Sequence, residues 1–157
     1  MDGRHRRRER THQAVLQAVI ANGLEDIEVV ARAADTSKRT IFRLFGDMEA
    51  LRRAAARSGL ATAPMKSGRE RIPSFVICCT EPYIRLGALL DSVGPDLADR
   101  QASLIEVHFG TDLYPLQVHA IAVLTSWPAW RSLIADRGCS EATARRVLEI
   151  GVKRLVR

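Results

Sequence analysis

Apolar residues in the first third of the chain recur at helical spacing. Val15, Leu16, Val19 and Ile20 make an i, i+1, i+4, i+5 stripe between Thr11 and Asn22, and Asn22-Gly23 follows as a stop signal. Asp26 stands where it can cap a second helix, Ile27 to Ala33, with Val30, Ala31 and Ala34 on its inner side. A helix this short persists only by packing. Asp35-Thr36-Ser37 breaks the pattern, and Ser37 caps a third helix from Lys38 to Phe45 that buries Ile41 and Phe45 at i and i+4. Gly46-Asp47 ends that helix and opens a fourth, running through Leu51, Ala54 and Ala55 toward Leu60.

From Thr62 to Pro73 the sequence reads TAPMKSGRERIP, polar and without periodicity, which marks a linker or loop. Five further helices are predicted beyond it: Phe75 to Val93, Asp96 to Phe109, Leu113 to Trp127, Ala129 to Arg137 and Ser140 to Val156. Phe75-Val76-Ile77-Cys78-Cys79 has the composition of a strand, but no second candidate exists to pair with it, and Pro82 is expected to kink or split a helix there. Leu113 to Trp127 is apolar nearly all round, the pattern of a helix buried on most sides. The last segment carries one stripe of Ala144, Val147, Leu148, Gly151 and Leu155, with Ser140 as cap. The expected fold is all-α. It divides into a basic arm at 1–10, a helix-turn-helix domain of three to four helices at 11–61, a linker at 62–73, and a helical domain of about five helices at 74–157.

Composition narrows the functions open to such a fold. The 157 residues carry a net charge of +6, and Arg4 to Arg10 reads RHRRRER, too like-charged to pack and expected to be flexible. An excess of cations suits an anionic partner, because neutralising phosphates releases counter-ions. Three cysteines, two of them adjacent, write neither a disulfide framework nor a CxxC pair and imply a reducing, cytoplasmic setting. No long apolar run or secretory leader is present, so no membrane partner is expected. Gly-rich phosphate loops, Gly-x-Ser-x-Gly and His-Glu-x-x-His are absent, so neither an enzyme, a cofactor nor a metal site is expected.

Two short helices joined by a three- or four-residue turn have the layout of a helix-turn-helix. Its second helix would bury Ile41 and Phe45 while offering Lys38, Arg39 and Thr40 to the major groove, where Lys and Arg reach guanine O6 and N7. Arg43, one turn on from Arg39, is placed to meet a phosphate. The other reading of Lys38, Arg39 and Arg43 is the solvated face of a surface helix.

Gly23 to Leu51, GLEDIEVVARAADTSKRTIFRLFGDMEAL, resembles the signature of the tetracycline-repressor (TetR) family. There a glycine ends helix one, an Ile-Ala pair sits in helix two, and a turn leads into Ser-Lys-x-Thr-aliphatic-Tyr-x-x-Phe. The matching residues are Val30-Ala31 and then Ser37-Lys38-Arg39-Thr40-Ile41-Phe42-Arg43-Leu44-Phe45. The resemblance implies a transcription regulator, more often a repressor, that binds double-stranded operator DNA as a homodimer through Ser37, Lys38, Arg39, Thr40, Phe42 and Arg43. It further implies a second domain that dimerises and takes a small, apolar ligand.

Four departures weaken the match. The loop after Gly23 is shorter, Asp26 stands for a capping Thr, Phe42 lacks the phosphate-reaching hydroxyl of Tyr, and Met48 replaces a phosphate-binding Lys. Arg6, Arg7 and Arg8 are expected to compensate along the DNA backbone or in the minor groove, the other role for the tract being a solubilising tail. The alternative function is a helical protein-interaction module that has weakened or lost DNA binding. Non-specific polyanion binding through the tract is a third.

Pocket candidates in the second domain pair apolar bulk with a polar tip: Tyr83, His119 and Trp127, with His108 and Tyr114 beside them. Cys78 and Cys79 read as inert buried thiols or as oxidation sensors. The expected dimer face is Trp130, Leu133, Ile134, Val147, Leu148 and Gly151, a stripe that equally suits an internal core.

Overall fold

A computed structural model describes residues 3–66 and 68–157, and among these every regular element is helical. The backbone divides into two compact units, Met1–Thr62 with Ala88–Val93, and Ala63–Gly87 with Gly94–Arg157.

The first unit holds α1 (Gly3–Asn22), α2 (Ile27–Ala33), α3 (Lys38–Phe45) and α4 (Met48–Ala61). Three of them start on a side-chain cap. Asp26 accepts a bond from the Glu28 amide at 2.7 Å, Ser37 from the Thr40 amide at 3.2 Å, and Asp47 from the Ala50 amide at 2.7 Å. Each cap of this kind contributes about 1 kcal/mol. α1 packs on α2 and α4, and α3 on both. Val15, Val19, Val30, Ile41 and Leu51 are fully buried, while Phe45 is half-buried and stacks on His12 with ring centroids 4.6 Å apart.

α1 differs from expectation at its start. The tract read as a flexible arm is helical from Gly3 onward. Arginine is a strong helix former, and no glycine or proline lies between Gly3 and Gly23. The following turn reaches back to the tract, where Thr11 Oγ1 donates to the Arg7 carbonyl at 3.0 Å and Gln13 Nε2 to Glu9 Oε1 at 3.2 Å. Met1 and Asp2, the rest of the expected arm, and Ser67 of the expected linker lie outside the described residues.

The turn between α2 and α3 is built on Asp35, the one non-glycine residue with positive φ (46°) among those described. The Thr36 amide reaches back to the Ala31 carbonyl at 2.9 Å, closing the end of α2 in the manner of a Schellman motif. Asp is one of the few L-residues that tolerates this backbone at modest cost.

The second unit contains α5 (Arg71–Leu86), α6 (Gly94–Phe109), α7 (Pro115–Leu124), α8 (Trp127–Arg131) with a π-turn at Ser132–Asp136, and α9 (Glu141–Leu155). α5 packs on α6 and α9, and α7 on α9. Phe75, Leu104, Ile121, Leu148 and Val152 fill the core.

Pro82 does not split α5 as expected. The helix runs through it, and the Cys78 carbonyl that a residue at 82 would normally satisfy is approached instead by Arg100 Nη2 at 3.5 Å. The same guanidinium group donates to the Pro64 carbonyl at 2.7 Å. Beyond α5 the chain tightens into a 3-10 segment, Gly87–Ser92, where a continuous helix to Val93 was predicted.

Two expectations about burial fail. α7 is not covered on most sides: Leu116 is 80% and Val123 72% exposed, and only Ile121 is fully buried. On α9 the buried stripe is Ala144, Leu148 and Val152 at i, i+4, i+8, whereas Val147 is 42% exposed. Gly151 is the point of close approach to α7, since a Cβ there would lie 2.5 Å from a Leu124 methyl.

Candidate nucleic-acid interface

The cap at Ser37 fixes the start of α3, so Lys38, Arg39 and Thr40 make its first turn. Ser37 and Thr40 bind each other through their hydroxyls at 3.1 Å. Arg39 and Arg43 are exposed on successive turns, and Ile41 is fully buried on the opposite side. Phe42, the residue standing where a tyrosine would offer a hydroxyl, is 39% exposed. α3 contains no carboxylate.

Lys38 has a partner that the sequence did not reveal. Its Nζ donates to Glu28 Oε1 on α2, with both side chains largely exposed. An exposed pair of this kind is worth about 0.2–1 kcal/mol, less than the ~1–3 kcal/mol of a good bidentate contact to a guanine edge. Glu28 therefore competes with a nucleic acid for Lys38 without blocking it.

Beside α3 lies a groove of about 640 Å³, where the first half of α1 faces the α2–α3 turn. Arg7, Arg8 and Arg43 supply its cations, Thr11, Thr36 and Thr40 its hydroxyls, and Asp35 its one carboxylate. Arginine forks and hydroxyls on a concave surface can bind phosphate oxygens. Two arginines of the tract are thus brought to the same groove as Arg43, held there by the continuity of α1. Arg6 is exposed and does not line it. Met48, in place of the phosphate-binding lysine, is half-buried next to the capping Asp47.

The residues expected to form a ligand pocket do not converge. Tyr83 and Trp127 meet with ring centroids 5.6 Å apart, but the Tyr83 hydroxyl already donates to the Thr125 carbonyl at 2.8 Å. His119 is exposed and bonded to the Pro115 carbonyl of its own helix, and Tyr114 is 77% exposed. His108 is spanned by the Ser74 hydroxyl at 3.2 Å and the Leu104 carbonyl at 3.0 Å. Asp112, four residues further on, turns to Arg71 at 3.6 Å instead of sharing a ligand set with it. The void beside Tyr83, Arg100 and Gln101 measures about 10 Å³, room for a single water.

Cys78 and Cys79 are both buried. Burial pushes the Cys79 thiol up to about 12 and raises Cys78 as well, despite the Arg100 guanidinium nearby. Thiols held protonated in this way are poor nucleophiles and poor oxidation sensors.

Of the six residues expected at a dimer face, Trp130 and Leu148 lie in the core of their unit, because both sit on the inner side of their helices. Gly151 faces α7, and Leu133 and Ile134 are half-buried. Only Val147 is exposed. Exposed apolar residues include Leu116 and Val123 of α7 and Val147 and Ile150 of α9, besides Ile84, Val107 and Tyr114.

Among the described residues no group of His, Cys, Asp and Glu is placed to hold a metal, and no helix is long and apolar enough to cross a membrane. No protein-family profile matches the chain, and no curated protein matches it.

Proposed function

We propose that this protein is a sequence-specific, DNA-binding transcription regulator of the TetR type, acting as a repressor and reading an operator with α3. The observation that carries the reading is one juxtaposition. A capped helix presents Lys38 and Arg39 on its first turn, beside a groove where Arg7, Arg8 and Arg43 meet. Base-edge reach and phosphate grip are then supplied by neighbouring elements, as a helix-turn-helix requires.

One helix of eight residues reads too few base pairs to specify a site, so the regulator works as a homodimer on two half-sites. The face that suits self-association is the apolar surface of Leu116 and Val123 on α7, with Val147 on α9. Its DNA affinity is set by a small molecule or partner bound at the second unit.

The test is selection of the full chain against a randomised duplex pool, followed by competition with excess random DNA. Enrichment of a two-fold sequence with half-sites about one helical turn apart is expected. Arg39→Ala is expected to weaken binding to the selected duplex by about 1–3 kcal/mol and to relax the choice of one base pair. If no sequence is enriched, the reading fails. A helical protein-interaction module, the second reading, then takes its place, favoured by the exposed ring of Phe42 and by the engagement of Lys38 with Glu28.

A further inference from the structure

A cleft of the second unit lies away from Tyr83, His119 and Trp127. It measures about 590 Å³ and opens between the first turn of α5 and the last turns of α9. That size falls within the range of small-molecule sites. Its apolar part is Ile72, Pro73 and Ile150. Around these stand Arg71, Arg146, Lys153, Arg154 and Arg157, against two carboxylates, Glu70 and Glu149. The spacing 146, 150, 153, 154 is helical, so α9 brings three of the five cations and one apolar residue to a single face, and Arg157 follows just beyond its end.

The cations are unequally engaged. Arg146 bonds Glu149 at 3.1 Å, and Arg71 pairs with Asp112 at 3.6 Å while its guanidinium lies 5.1 Å from the Phe109 ring centroid. Lys153 and Arg154, both exposed, pair with no carboxylate among the described residues. The cleft therefore holds an uncompensated positive field over an apolar floor. A second copy docked two-fold on it would bring the same cations against these, which like-charge repulsion opposes.

We infer that this cleft binds an amphipathic organic phosphate, its oxyanion held by Lys153 and Arg154 with Arg71, and its apolar body lying on Ile72, Pro73 and Ile150. The assignment deepens the ligand control proposed above by naming where the ligand sits and what it is. Its test uses no DNA, so the two can fail separately.

Hexyl phosphate, inorganic phosphate and hexyltrimethylammonium are titrated calorimetrically into the full chain. Saturable one-to-one binding of hexyl phosphate is expected, tighter than inorganic phosphate and absent for the cation, which shares the tail but not the charge. The double variant Lys153→Gln/Arg154→Gln removes two exposed charges and leaves the fold intact. It is expected to weaken hexyl phosphate about tenfold, as two screened ion pairs would, while Arg7→Gln/Arg8→Gln in the first unit leaves binding unchanged. Equal binding of the cation, an unchanged Kd in the α9 variant, or loss of binding only in the α1 variant overturns the assignment.

Discussion

At the scale of single residues, the contact between Lys38 and Glu28 is where the proposed reading of DNA by α3 can be probed most directly. Replacing Glu28 by Gln removes the competitor and keeps the shape, so binding to the selected duplex at low salt is expected to tighten about two- to fivefold, read by fluorescence anisotropy. The gain should shrink as salt rises, because the lost pair is exposed and screened. Asp26, Ser37, Asp47 and Ser140 were legible as caps because capping is local: donor and acceptor stand within three residues of each other. Lys38's partner was not, since it lies ten residues away on another helix. The same holds for Arg100, whose bonds to the Pro64 and Cys78 carbonyls span 36 and 22 residues. Nothing in local spacing announces such contacts.

At the scale of elements, periodicity placed α2 and α3 to the residue, because each short helix carries a cap and a breaker. It mislaid the first turns of α1, where the charge pattern argued for an arm while backbone propensity favoured helix. It also misjudged α7. A helix apolar all round reads as buried, yet sequence cannot distinguish a face covered by its own chain from one left for another surface. Leu116 and Val123, seven residues apart on one side of α7, are that open face. Leu116→Glu with Val123→Glu is expected to convert a dimer into a monomer by sedimentation. The melting temperature of the monomer should scarcely change, because surface substitutions usually alter stability by about 0.5 kcal/mol or less. A dimer that survives both charges places the interface elsewhere.

At the scale of the whole molecule, the buried thiols make stability sensitive to alkali. Cys79 keeps its proton up to about 12 in the folded chain but ionises near 9.0 once unfolded. The contribution is fully present below 9.0 and is lost progressively as pH rises toward 12, because only the unfolded state releases the proton across that window. Burial raises Tyr83 in the same direction. Urea midpoints measured from pH 8 upward should therefore fall, and Cys79→Ser should flatten the decline. A midpoint that stays constant would contradict the burial of the thiol.

One consequence of α1 reaches beyond the groove it lines. Its first turn holds no acidic residue, and Glu9 is the one carboxylate among five arginines between Arg4 and Arg10, at the end where the helix dipole is itself positive. Those turns repel both each other and the backbone field, so each oxyanion that settles there relieves a strain of charge as well as making a bond. Far-UV dichroism should register this as helix gained on adding a polyanion, a gain that Arg7→Glu/Arg8→Glu abolishes because its carboxylates already relieve the repulsion. The first helix would then act as a meter of its own counter-ions.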